Sequence, residues 1–119
     1  MRAIIVEDEF LISLAVADTV GRLGHDIIGS EGRLAAAMEL VSTASFDFAI
    51  IDCKLHGESV EPLANWLVQR GMPFLIVTAY AEELSPTLKG HPVVHKPYRE
   101  DELEQGIELV AKRARQNVH

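Results

Sequence analysis

The sequence predicts a three-layer α/β/α domain built on a parallel five-stranded sheet. Three observations carry that expectation. Short apolar runs rich in β-branched residues alternate with helix-period stretches along the whole chain. Four of these runs end in polar signatures: Ala3-Ile4-Ile5-Val6 before Glu7-Asp8, Phe48-Ala49-Ile50-Ile51 before Asp52, Phe74-Leu75-Ile76-Val77 before Thr78, and Pro92-Val93-Val94-His95 before Lys96-Pro97. Runs that are apolar at every position suit strands covered by helices on both faces. The chain of 119 residues is long enough for one domain with a real core, 1–119, and no linker, repeat or low-complexity tract divides it.

The elements follow in order. A first strand covers about 2–6. A helix from about Glu9 to Leu23 carries Ile12, Val16, Val20 and Leu23 on one stripe and stops at Gly24. A short second strand lies near 26–29, and 33–44 make an Ala-rich helix. The third strand, about 47–51, leads into a loop through Leu55-His56-Gly57-Glu58. A third helix spans about Val60 to Arg70, with Pro62 in its first turn, where proline is tolerated, and Gly71 at its stop. Trp66 reads as a packing residue. The fourth strand is about 73–77. Pro86 and Gly90 make any helix over 81–90 short or irregular. The fifth strand is about 92–95. A last helix begins near Arg99 with Glu100-Asp101-Glu102 in its first turn, and buries Leu103, Ile107, Val110, Ala111 and Ala114. Right-handed crossovers and helices on both faces favour a flavodoxin-like (βα)5 order, 2-1-3-4-5.

Composition excludes several classes. Apolar residues make up 48% of the chain, so disorder is not expected. No apolar stretch approaches the ~18–20 residues that cross a bilayer, and no signal-peptide pattern opens the chain, so a cytoplasmic protein off the membrane is expected. A formal charge of −7 argues against a nucleic-acid partner. The basic cluster Lys112-Arg113-Arg115 reads as a solvated helix end. The single cysteine, Cys53, permits no internal disulfide and reads as a small inert residue. His25, His56, His91, His95 and His119 show no metal-ligand spacing.

In the predicted order the switch point lies between strands one and three, and open α/β sheets bind ligands outside the carboxyl ends of strands at that point. Glu7, Asp8 and Asp52 belong to those two strands. Two carboxylates ~5 Å apart repel by roughly 3 kcal/mol at an effective dielectric near 20. A trio either stays partly protonated or recruits a cation. Hard oxygen ligands without histidine or cysteine suit magnesium. Glu7-Asp8 alone would be read as a solvated acidic patch; joined to Asp52, Thr78 and Lys96 at strand ends it points to a site. Asp52, ending the central strand, is the candidate nucleophile for an acyl phosphate. Thr78 and Lys96 would offer a hydroxyl and an ammonium to phosphoryl oxygens.

Together the motifs Val6-Glu7-Asp8-Glu9, Ile50-Ile51-Asp52, Val77-Thr78-Ala79 and Lys96-Pro97-Tyr98 make the chain resemble the receiver domain of two-component response regulators, over its whole length. The resemblance implies that Asp52 accepts phosphate from a histidine kinase or histidine phosphotransfer protein, and that the state of Asp52 changes binding to a downstream protein. It implies that Glu7, Asp8, Asp52 and the backbone carbonyl of Lys54 organise magnesium, and that Thr78 and Lys96 contact the phosphoryl group. It also implies a domain that catalyses only its own phosphorylation and dephosphorylation, and a Lys96–Pro97 bond that is often cis.

Some positions depart from the family pattern. His56 stands where a proline is usual, four residues after the acceptor, and Val93 stands at the usual switch aromatic. The aromatic is instead Tyr80, two residues after Thr78, and the segment from Thr78 to Lys96 is shortened. Phe74 through Tyr80 resemble an atypical single-domain subgroup whose strand ends Phe-x-x-x-Thr-(Gly/Ala)-Tyr. Tyr80 is the switch candidate, and Lys54 a candidate for tuning the lifetime of the phosphate. A stand-alone receiver is expected. The alternatives are a vestigial interaction module, or a fragment of a larger regulator. An aspartyl-phosphate phosphohydrolase is disfavoured by Lys54, where such enzymes carry a second acid. A flavodoxin is disfavoured by acids in place of a phosphate loop.

Overall fold

The central strands form where nearly every side chain is apolar. β1 (Arg2–Val6), β3 (Phe48–Ile51) and β6 (Phe74–Thr78) are buried almost throughout. They are the three central strands of a parallel sheet whose order is β2-β1-β3-β6-β7, with β2 at Asp26–Glu31 and β7 at Val93–His95 as edges. With the short hairpin strands β4 (Lys54–Leu55) and β5 (Glu58–Ser59) set aside, this is the expected 2-1-3-4-5 order. The computed structural model describes residues 1–117; His119, one of the histidines weighed above, lies outside them.

Helices α1 (Phe10–Arg22), α2 (Leu34–Thr43), α3 (Glu61–Gln69) and α4 (Glu100–Gln116) cover the sheet. Alternate residues of each strand point to opposite faces, so the core divides in two. Ile4, Val6, Ala49, Ile51 and Ile76 meet α2 and α3 through Ala37, Val41, Leu63 and Leu67. Ala3, Ile5, Phe48, Ile50 and Leu75 meet α1 and α4 through Val16, Val20, Leu103 and Ile107. Truncating one such side chain, Ile51→Ala for example, costs about 2–5 kcal/mol. Gly106 lets α4 lie close on the sheet: a Cβ there would sit 2.9 Å from Leu75 Cδ1 and 3.0 Å from Val94 Cγ2.

Three differences from the sequence expectation bear on the site. β2 is longer than expected, because a register shift between Ala3 and Ile4 and a bond from the Glu7 N–H to the Glu31 carbonyl (3.0 Å) carry the ladder on to Glu31. The stretch expected as a loop after Asp52 is an antiparallel hairpin, β4 to β5, turning on His56 (φ 51°) and Gly57 (φ 81°). Two positive-φ residues in a two-residue loop are the mark of a type I′ turn. The fourth crossover holds only a 3₁₀ turn, Ala81–Glu83, as Pro86 and Gly90 foretold, so the described residues form four α-helices rather than a helix after every strand. Leu84 and Leu88 still pack into the core, and Glu61 of α3 accepts hydrogen bonds from Ser85 (2.5 Å) and from Thr87.

Candidate functional site

The carboxyl ends of β1, β3, β6 and β7 bring Glu7, Asp8, Asp52, Thr78 and Lys96 to one edge of the sheet. Strand pairing sets the register: Val6 lies beside Ile51, Ile51 beside Ile76, and Thr78 beside His95. The polar residue that follows each strand therefore lands near its neighbour. Glu7, Asp8 and Asp52 each offer a carboxylate oxygen within 4.8 Å of the others. No histidine joins this group among the described residues. Its hard, all-oxygen donor set fits magnesium.

Lys96 is the counterweight. Its Nζ lies 2.6 Å from Glu7 Oε1 and 2.9 Å from Asp52 Oδ2. The Lys96 N–H donates to the Thr78 carbonyl at 2.9 Å, and the following Lys96–Pro97 peptide is cis, as the resemblance implied. Glu7, Asp52 and Lys96 are 7%, 5% and 8% exposed. Charges this buried are stable only when paired. Three carboxylates and one ammonium, all ionised, leave two negative charges, the charge a divalent cation cancels.

The environment separates the acids. Burial pushes the Glu7 carboxyl up to about 7, against the pull of the Lys96 and Glu9 hydrogen bonds. Asp8 is more exposed; burial is the largest single influence and raises it, but hydrogen bonds acting together, first that from the His56 backbone N–H to Oδ2 at 2.7 Å, hold it below the usual range. Burial alone would lower Lys96, but its bonds to Glu7 and Asp52 outweigh that and hold it up as a cation. Asp52 Oδ1 accepts from the Cys53 N–H at 2.7 Å.

Thr78 is brought to the same edge, but its hydroxyl turns aside. Oγ1 accepts from the Tyr80 N–H at 3.1 Å and meets Cys53 Sγ at 2.9 Å. Burial raises the Cys53 thiol, consistent with a neutral, unreactive group. The Lys54 side chain leans outward instead, with Nζ 4.5 Å from the Tyr80 ring centre and 3.6 Å from Glu83 Oε2. In a two-residue hairpin the pair flanking the turn takes the hydrogen bonds, so Lys54, one step further out, keeps its carbonyl outside the ladder. Tyr80 is 45% exposed, on the rim.

Two features escaped the sequence reading. His56 supplies a backbone donor to Asp8, and only the positive φ in a two-residue turn signalled it. Phe10, Leu11 and Leu14 form a second apolar stripe on α1, off the buried one, at 72%, 77% and 50% exposure. With Glu7 and Asp8, Phe10 and Leu14 border a groove that also meets Ser13.

No family model matches the chain. Solved structures do. The response regulator REC domain of PhyR from Erythrobacter litoralis, determined in solution, is 31% identical, with a TM-score of 0.81 covering 93% of this chain and 89% of that one. The response regulator TrrA from Thermotoga maritima, in complex with Mg(2+)-BeF, is 20% identical with a TM-score of 0.78, over 92% of this chain and 97% of that one, a likeness of fold. The transcriptional regulatory protein PdtaR of Mycobacterium tuberculosis is 27% identical over 120 residues, 97% of this chain. The chain spans only 58% of the length of that curated relative. With a parallel sheet in the 2-1-3-4-5 order, an acidic cluster at its carboxyl edge and 31% identity to the Erythrobacter domain over nearly all of both chains, this chain belongs to the receiver domains of two-component response regulators.

Proposed function

We propose that this receiver takes a phosphoryl group on Asp52 and signals through the change that follows. The observation that supports it most is the placement of Lys96, shared between Asp52 and Glu7 inside an acidic cluster. Asp52 Oδ2 would attack phosphorus, the bond from phosphorus to the donor histidine nitrogen would break, and that nitrogen leaves with its electron pair. Lys96 stays close enough to follow a phosphoryl oxygen. Glu7, Asp8, Asp52 and the Lys54 carbonyl would hold magnesium, which neutralises charge on the transferring group when bound. The beryllofluoride and magnesium of the Thermotoga relative are in keeping with this set. The domain acts on itself alone, with no separate substrate turned over.

The phosphodonor is a histidine kinase or histidine phosphotransfer protein. The exposed Phe10 and Leu14 stand beside the mouth of the site and give its helical surface an apolar landing. Among the described residues no helix is long and apolar enough to cross a membrane; we place the domain in the cytoplasm, where such donors present their histidine. The output is a phosphate-dependent change in binding to a downstream protein.

Incubation with acetyl phosphate and magnesium, followed by a phosphate-retarding gel, tests the reading. A shifted band is expected for the wild type and none for Asp52→Asn. An unshifted wild type would sink the proposal in favour of a vestigial module, and a shift that survives Asp52→Asn would move the acceptor elsewhere. On the same gel, Leu14→Glu should slow transfer from a protein donor and leave transfer from acetyl phosphate unchanged.

A further inference from the structure

The Thr78 side chain is fully buried, so its hydroxyl hydrogen needs an acceptor. The Tyr80 N–H can only donate, which occupies a lone pair of Oγ1 and leaves that hydrogen to be placed elsewhere. Among the described residues, the other partner of Oγ1 is Cys53 Sγ, at 2.9 Å. Cys53 also gives its backbone N–H to Asp52 Oδ1 at 2.7 Å. One residue therefore touches both the acceptor carboxylate and the hydroxyl expected to serve the phosphoryl group.

We propose that Cys53 is a positioning residue for phosphoryl transfer: its sulfur parks the Thr78 hydroxyl away from Asp52 until a phosphoryl oxygen claims it. This rests on the receiver reading of the site. Sulfur is a weak acceptor, whereas hydrogen bonds to charged oxygen are roughly twice as strong as neutral ones. The hydroxyl therefore leaves sulfur for a phosphoryl oxygen downhill and returns once the phosphate is gone. No covalent change at Cys53 is involved. A stronger partner at 53 would hold Thr78 back, and no partner would release it early.

The experiment measures the affinity for beryllofluoride with magnesium, followed by amide shifts of the whole chain, in a double-mutant cycle between positions 53 and 78. Cys53→Ala should tighten binding by about threefold, on the order of one weak hydrogen bond. Cys53→Ser, a better hydrogen-bonding partner, should weaken it by a similar factor. In a Thr78→Val background both effects should vanish. Equal effects in both backgrounds would mean that Cys53 acts through packing, and the inference would fall. Wild-type binding that neither Cys53 substitution alters would also overturn it, while leaving the receiver reading intact. A wild type that binds no beryllofluoride would bring down the receiver reading, and this inference with it.

Discussion

Two of the connections that leave the carboxyl edge of the sheet are held in opposite ways. The one after β3 is a tight hairpin fixed by backbone. The His56 N–H donates to Asp8, the Val60 N–H donates to the Cys53 carbonyl at 3.1 Å, and the turn has two positive-φ residues. The one after β6 is held by side chains: Ser85 and Thr87 on Glu61, Leu84 and Leu88 in the core, and Lys54 on Tyr80 and Glu83. The hairpin's own ladder and turn fix most of its geometry locally, with the Asp8 carboxylate as its one side-chain anchor among those named. Side-chain anchors open locally at little expense to the rest. That contrast predicts that the hairpin beside Asp52 stays closed while the segment from Tyr80 to Pro92 opens more readily.

The sharpest way to break that contrast is His56→Pro. Proline fixes φ near −65° and has no N–H, so it loses both the turn and the bond to Asp8. A loss of about 3 kcal/mol in urea unfolding, with weaker magnesium binding, is expected. Unchanged stability would show that the hairpin refolds into another turn. The usual family proline and this hairpin exclude one another, so the departure at 56 belongs to a different loop geometry.

The second test is electrostatic. The folded-state pKa of Glu7 is raised from 4.5 to about 7 by burial. A raised value means the folded protein holds this proton more tightly than the unfolded chain does. Its stabilising contribution is complete below pH 4.5 and is lost as pH rises through about 7. In the absence of magnesium, urea resistance from this group should fall over that window. Magnesium needs the ionised ligand, so its stabilisation should grow over the same window. Glu7→Gln should remove both trends; a slope that persists would trace to another group.

Smaller effects probe the side-chain anchors. Glu61→Ala removes the acceptor of two hydroxyls and should cost about 1–2 kcal/mol. Amide exchange should then quicken in 81–90 and stay slow in the hairpin. Equal quickening in both would show that the two connections move as one. Smallest in stability is Lys54→Ala, which removes a rim cation–π contact of about 0.5–1 kcal/mol. Its readout is the half-life of the phosphorylated protein, and an unchanged half-life would remove the Lys54 side chain from the reaction.

Much of this was legible in the sequence. Residues 48–51 and 74–77 are apolar throughout, and a strand buried on both faces leaves no other pattern. The α4 stripe, Leu103, Ile107, Val110, Ala111 and Ala114, was legible in full because helical period is a local property. The hairpin was not. Leu55-His56-Gly57-Glu58 offers one glycine and no alternating flank, and its turn needs a non-glycine residue at positive φ.

By itself the sequence determined which residues end strands, and through the crossover rules that they share one edge. Punctuation and period are short-range signals, and chirality leaves few topologies to choose from. Only the tertiary structure decided what each polar group does there. Lys96 meets Glu7 across 89 residues of chain and Asp52 across 44, the His56 amide meets Asp8 across 48, and the Thr78 hydroxyl faces Cys53 rather than Asp52. A hydrogen bond depends on tenths of an ångström and on direction. Those are set when the packed layers fix the strand register, and no local run of residues encodes them.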